Sequence, residues 1–404
     1  MKRLEHILLA LFIFSIPIQA RLVLFQWSPA FNEWTAGFLW GTDILLALLV
    51  ISNLKFQISK KDWLLILFLA IAAISILQAR LVPVAIYRFI KLAEYIILFF
   101  YFRHRAVRIL SMRTIAGIWV ASSVFQALVG IAQYIIQHNL GLRFLGESIL
   151  NVDGQSVAVV VANSHKYLRA YGTMPHPNVL GAILMVGLWA ALWLYFTRLR
   201  HRGKILAAYA IILVAFLLTF SRVEIAVWII ATLVMVAIFW IRQKRKDFLA
   251  PLILTMLIGL AFTGIFWPQV HSRLQLSTDD EAVAQRVFYA KIAGQSARHH
   301  LIRGIGIGQF VPNLMRALPR YPAVVYQPAH SLYLLVLNEM GLPGLIVLLI
   351  FLGFWFSAQR GNPYVIVGMT VFLVLGLFDH FFWTLQQGGF VLWGLLGILA
   401  SDII

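Results

Sequence analysis

The sequence predicts an all-α polytopic membrane protein with about twelve transmembrane helices. Composition is the first reason: the 404 residues are 61% hydrophobic and only 12% charged, where a soluble chain carries roughly a quarter charged residues. The second is that apolar runs of about 18 residues or more recur from end to end, each long enough to cross a bilayer as a helix. None alternates with the period of two that a barrel strand needs, and only helices or closed barrels satisfy their backbone in lipid.

The runs place helices at roughly 7–26, 34–54, 62–79, 84–102, 114–137, 175–197, 204–220, 222–241, 248–266, 330–356, 361–379 and 383–402. The first, behind Lys2 and Arg3, has the outline of a signal peptide with Gln19-Ala20 near a cleavage position. Because the apolar run resumes after Arg21, it is read as helix 1. Most connections are short; two are long, 138–174 and 267–329. Short loops rich in Lys and Arg mark the cytoplasm. Here alternate connections carry Lys2 and Arg3; Lys55, Lys60 and Lys61; Arg103, Arg105, Arg108 and Arg113; Arg198, Arg200, Arg202 and Lys204; Arg242, Lys244, Arg245 and Lys246; and Arg360. Both termini are then cytoplasmic, and both long loops face outside. The chain reads as one integral membrane domain, 1–404, because the second loop is short for an independent domain.

The net charge of +18 would suggest nucleic acid in a soluble protein. In a membrane chain it is topology signal plus an anionic ligand, with no nucleic acid partner. There is no cysteine, which excludes disulfides, thiolate catalysis and thiolate-bound metal.

Three helix starts gather on the outer face. In Gly172-Thr-Met-Pro-His176-Pro177-Asn178, proline suits a first turn, so a helix should open near His176 or Pro177. In Ser221-Arg222-Val-Glu224, the serine and the glutamate three residues on form a capping box, with Arg222 in the first turn. Pro328-Ala-His330-Ser331 opens a third. Helix N-termini present free amides and a positive dipole end to anions. Arg222 adds a fork that fits phosphate oxygens, and His330 adds a group that gives or takes a proton near neutral pH. The plainer readings are a cap residue for His176, a snorkelling cation for Arg222 and a structural histidine for His330.

In the second long loop, Thr278-Asp-Asp-Glu281 reads as a capping box opening a helix to about His299. Arg286 shares a face with Ala282, Ala290 and Ala293, a small-residue face able to approach another surface. Lys291 and Arg298 lie on a different, solvated face. Gly304-Ile-Gly-Ile-Gly308 reads as a turn, since its spacing and context are not those of a dinucleotide loop. The adjacent His299-His300 lacks metal-ligand spacing, and no metal is expected. In helix 4, Arg88, Lys91 and Glu94 share one face. Charges there normally face a cavity or one another, so Lys91 and Glu94 are expected to pair and Arg88 to approach the outer site. Asp379-His380 forms a further polar pair at the end of helix 11.

These motifs, in this order, resemble the O-antigen ligase and polymerase superfamily. Arg169-Ala-Tyr-Gly-Thr-Met-Pro-His176-Pro-Asn178-Val-Leu-Gly is similar to one of its helix starts, and Thr219-Phe-Ser-Arg222 to the next. Arg286, the glycine turn and His330-Ser-Leu-Tyr333-Leu-Leu-Val-Leu-Asn-Glu339-Met-Gly341-Leu-Pro-Gly344 resemble its large periplasmic loop and the helix after it. The resemblance implies a C-type glycosyltransferase-like fold in the bacterial inner membrane. It implies transfer of an undecaprenyl-diphosphate-linked glycan to a hydroxyl on a glycolipid, another glycan or a protein, without cofactor or metal. It assigns catalysis to Arg222, Arg286 and His330, and substrate binding to Arg169, His176, Asn178, Arg88 and Tyr333. A transporter or flippase for an anionic solute is the competing class; it would need helices broken at mid-membrane and related halves.

Overall fold

The computed structural model describes residues 2–52, 62–154, 157–198, 200–243, 247–275, 281–359 and 361–401. In chain order the helices are α1 (Lys2–Ser15), α2 (Gly41–Ser52), α3 (Trp63–Ser75), α4 (Val82–Tyr101), α5 (Val107–Ile109), α6 (Met112–Ile136), α7 (Pro177–Thr197), α8 (Arg202–Leu218) and α9 (Arg222–Ile238). They continue with α10 (Leu249–Ile265), α11 (Trp267–Leu274), α12 (Glu281–His299), α13 (Phe310–Ala317), α14 (Leu332–Ala358), α15 (Pro363–Phe378), α16 (Phe381–Thr384) and α17 (Gln386–Leu399). Two antiparallel hairpins interrupt them: β1 (Arg21–Gln26) with β2 (Ala36–Trp40), and β3 (Val159–Ala162) with β4 (His165–Leu168).

The chain is predominantly helical, and each expected apolar segment overlaps a helix. By length and hydropathy, four helices among the described residues are long enough to cross a membrane: α6, α7, Arg222–Ile241 and α14. A fifth is counted if α10 and α11, bent by 93°, form one span. Four further helices, built on α2, α3, α15 and α17, are apolar but shorter. The basic residues Lys55, Lys60, Lys61, Lys244, Arg245, Lys246 and Arg360, and the Thr278–Asp280 part of the loop capping box, lie outside the described residues.

The first two expected spans are corrected. The 7–26 run is helical only to Ser15, just before Pro17, which lacks an amide hydrogen to continue the ladder. Leu22-Val-Leu-Phe25 then pairs as β1 with Ala36–Trp40, the start of the 34–54 run. Apolar β-branched and aromatic runs suit a strand as well as a helix. The hairpin is pinned by Arg21, whose guanidinium lies 4.3 Å over the Phe38 ring and 4.9 Å over Trp40, and which pairs with Glu33.

Contacts within the chain fall into two compact units. The first comprises Met1–Ala20, Ile44–Leu49 and Ile109–Leu276, and the second Arg21–Asp43, Val50–Arg108 and Ser277–Ile404. In the first, α6, α7 and α8 pack together, with Leu180, Leu184, Ile212 and Phe216 fully buried. Two glutamines of α6, Gln126 and Gln133, are also fully buried. Each anchors the chain just before α7: Gln126 bonds Thr173 and the Pro17 carbonyl, and Gln133 bonds the Gly172 carbonyl and Glu147. A buried amide is tolerated only when its polar atoms are paired, and here the pairing fixes the loop that delivers His176.

In the second unit the long loop folds back on α14. Tyr289 and Ala293 of α12, Phe310, Val311 and Leu314 of α13, and Leu335 of α14 share one core. The helix α14 itself is broken: Gly341 has φ 70° and ψ −177°, non-helical values inside the span. The freed backbone is taken up by the glycine turn, as Ile305 N–H donates to the Asn338 carbonyl at 2.8 Å, Gly306 N–H to Glu339 at 3.0 Å, and Leu342 N–H to Leu301 at 2.7 Å. The expected turn is thus present, and it repairs a helix break. A Cβ on Gly341 would lie 2.3 Å from the Ile302 carbonyl oxygen. Because that φ/ψ region is reserved for glycine at about 1–3 kcal/mol, Gly341→Ala should lower the thermal unfolding midpoint in detergent. Gly353→Ala, where nothing lies within 4 Å, should not. Equal midpoints for both would show that the break carries no strain.

Candidate functional site

Four of the expected site residues belong to the first unit. His176 is the N-cap of α7, its Nδ1 accepting from Asn178 N–H at 3.2 Å, and Pro177 is the first helical residue. The plain reading of His176 as a cap is therefore what the structure shows. Arg169 is buried. Its Nε donates to the Thr219 carbonyl at 2.5 Å and its Nη2 to Asn178 Oδ1 at 2.9 Å. It ties the segment before α7 to the segment before α9, which makes it a positioning residue for both helix starts. Arg222 is the first residue of α9, as expected. The capping box is corrected: Ser221 caps no amide of α9, and its hydroxyl instead meets the Glu224 carboxylate and, at 2.9 Å, Asn178 Oδ1. A partner 43 residues away outcompetes the local cap.

The other four lie in the second unit. His330 stands two residues before α14, whose N-cap is Ser331, and Leu332 N–H donates to the Asp379 carbonyl at 3.2 Å. That bond brings the end of α15 to the start of α14 and sets Asp379-His380 beside His330. The imidazole of His330 is half-buried, stacked on Tyr289 at 5.9 Å between ring centres and edge-on to His380 at 5.2 Å. Its Nδ1 is enclosed and has no hydrogen-bond partner among the described residues. His380 is held by its own backbone amide donating to Asp379 Oδ1 at 2.7 Å and by Nδ1 against Thr384 Oγ1 at 2.6 Å.

Arg286, half-buried on α12, is close enough for its charge to act on both histidines. The buried face of α12 is Tyr289, Ala293 and Ala297, while Ala290 is exposed, so the packing face is turned slightly from the expected alanine set. Lys291 and Arg298 are exposed, as expected. Tyr333 donates its hydroxyl to the Leu373 carbonyl at 2.9 Å, which gives it a place in α14–α15 packing.

Lys91 pairs with Glu94 at 2.9 Å, as expected, and also with Asp43 at 2.5 Å, a partner the sequence did not reveal. Beside them opens a cleft lined by Trp34, Arg88, Lys91, Tyr95, Glu339 and Trp383 among others. Arg88 donates from Nη1 to the Thr384 carbonyl at 2.9 Å and makes no ion pair among the described residues. Glu339 accepts from Trp383 Nε1 at 2.8 Å.

Burial pulls both histidines toward the neutral form. For His330 burial lowers the pKa most, Asp379 opposes it and Arg286 adds to it. For His380 burial again leads, and the value falls to about 3. A neutral imidazole can accept a proton, as a general base must. The sign for stability follows. The unfolded chain binds protons near pH 6.5 and the folded chain resists them, so stability is intact above about 6.5 and is lost as pH falls toward about 3. Thermal unfolding from pH 7 to pH 5 should show that loss, and His380→Gln should flatten it; an unchanged slope would place the titration elsewhere.

The structure thus brings Arg286, His330 and Arg88 into the unit that holds Asp379 and His380, and Arg169, His176, Asn178 and Arg222 into the other. Sequence reading missed Asp43, Trp34, Thr384 and the Glu339–Trp383 pair, none of which has a local motif. No curated protein matches the chain. Residues 207–349 match the family model described as O-Antigen ligase, a stretch that opens before Arg222, contains Arg286 and closes beyond His330. Over that stretch, about a third of its length, the chain is similar to the O-antigen ligase family.

Proposed function

We propose that the protein transfers a glycan from undecaprenyl diphosphate to an acceptor hydroxyl, in the manner of an O-antigen ligase, on the outer side of the bacterial inner membrane. The chain then crosses the membrane about twelve times with both termini cytoplasmic. One observation supports this most: His330, half-buried against Tyr289, lies with Arg286 inside the segment 207–349 that matches the ligase family, with Asp379, from beyond that segment, beside it. His330 takes the proton from the acceptor hydroxyl. The acceptor oxygen bonds to the anomeric carbon, whose bond to the diphosphate oxygen breaks with inversion. The electron pair leaves on the diphosphate, where Arg286 neutralises it; Arg222, in the first unit, is the further arginine that the family resemblance assigns to that charge. Arg169 and Asn178 hold the α9 start that carries Arg222.

Polymerisation, with a second lipid-linked unit as acceptor, and transfer to protein are the nearest alternatives. A deletion host separates them. Polymer stranded on undecaprenyl diphosphate, rescued by wild type and not by His330→Ala, is the ligase result. Single repeat units mean a polymerase, and unchanged glycans in a host that makes the substrate remove the enzyme reading. A transporter would keep a broken helix open to its solute; the break at Gly341 is instead closed by backbone bonds from the glycine turn.

A further inference from the structure

The cleft of the second unit holds groups that the transfer step does not use. Of its two cations, Lys91 is satisfied by Asp43 and Glu94. Among the described residues Arg88 has one carbonyl bond and no carboxylate within ion-pair distance, while its charge acts on Glu339 across the cleft. Gly308 leaves room for it, since a Cβ there would fall 2.5 Å from Arg88 Cγ. A guanidinium with spare donors facing a cleft is matched by an anion. Trp34 and Trp383 add aromatic walls, and Glu339 and Thr384 add oxygens suited to hydroxyl groups. The cleft also adjoins the histidines: Trp34 stands edge-on to His380 at 5.3 Å, and His380 stands at 5.2 Å from His330.

The geometry points to an acceptor subsite that takes a sugar ring bearing one acidic group, a carboxylate or a phosphate, with the acid on Arg88 and the ring against Trp34 and Trp383. Aromatic faces meet the C–H faces of a pyranose, while the ring hydroxyls reach Glu339 and Thr384. A diphosphate is disfavoured there, because its multiple charge would meet Glu339 with Arg88 as the one lining cation not already held by two carboxylates. The assignment to the acceptor rests on His330 being the base that receives its proton.

The test is binding read without turnover, by isothermal titration calorimetry on the full chain in detergent. The probes are glucuronic acid, glucose 6-phosphate, methyl glucoside, inorganic phosphate and pyrophosphate. The two acidic sugars should bind about tenfold more tightly than methyl glucoside or inorganic phosphate, the worth of one charge-assisted contact. Arg88→Gln should reduce them to the methyl glucoside level, Arg88→Lys should retain part of the preference, and Trp34→Ala should weaken every sugar. Equal binding of neutral and acidic sugars, tightest binding of pyrophosphate, or indifference to Arg88→Gln in protein that unfolds like wild type would each overturn the subsite. The two readings fail separately. Acid-sugar binding without glycan transfer would sink the ligase and leave the cleft; transfer with no such preference would sink the cleft alone.

Discussion

Replacing His330 by alanine should lower glycan transfer by about 10²–10⁴-fold, the usual contribution of a positioned general base, while leaving thermal unfolding nearly unchanged. The fold is insensitive because Nδ1 makes no hydrogen bond among the described residues that the substitution would remove. The helix start behind it is held by Ser331 and by the Asp379 carbonyl. The rate is sensitive because the neighbouring imidazole is engaged elsewhere: His380 has its Nδ1 against Thr384 Oγ1 and its backbone amide on Asp379. The pH profile carries the same information. Burial and Arg286 put the His330 pKa below 6.5, so kcat/KM should be level above that pH and fall below it. A wild-type rate for His330→Ala in folded protein would refute the base assignment, and an acid limb above pH 6.5 would show that a different group titrates.

What the sequence disclosed about this site, and what it hid, divides along one physical line. Features set within a turn or two of chain were legible. Pro177 opens α7 because its ring presets the helical φ. Lys91 pairs with Glu94 because residues three apart share a face. Lys291 and Arg298 point outward on α12 for the same reason. Features set by partners far along the chain were not. Asp43 completes the Lys91 pair from 48 residues away. Ser221 has the sequence of a cap yet bonds Asn178 and Glu224 side chains. The Leu22–Phe25 run has the hydropathy of a helix and pairs as a strand because β2 offers an edge and Arg21 locks it. The glycine turn was visible as a turn, but its task, closing the break at Gly341, needed the tertiary fold.

Arg286 carries the second large effect, and its two roles can be read apart. As a neutraliser of the leaving diphosphate, it should contribute about 10²–10³-fold in kcat, the range for one preorganised electrostatic group. As a neighbour of His330, its charge helps hold that imidazole neutral. Arg286→Ala should therefore slow transfer by that factor and move the acid limb of the pH profile to higher pH, since the cation that opposed protonation is gone. Arg286→Lys keeps the charge and should leave the limb near its wild-type place. It still loses the planar fork that grips two phosphate oxygens, so part of the rate loss should remain. If Arg286 serves only to pack α12, both variants should shift thermal unfolding instead, because the buried face of that helix is Tyr289, Ala293 and Ala297. A shifted midpoint with an unmoved acid limb would thus assign Arg286 to packing. A shifted limb at constant stability would assign it to the chemistry, where the cation that stabilises the departing diphosphate also keeps the base ready to accept the acceptor's proton.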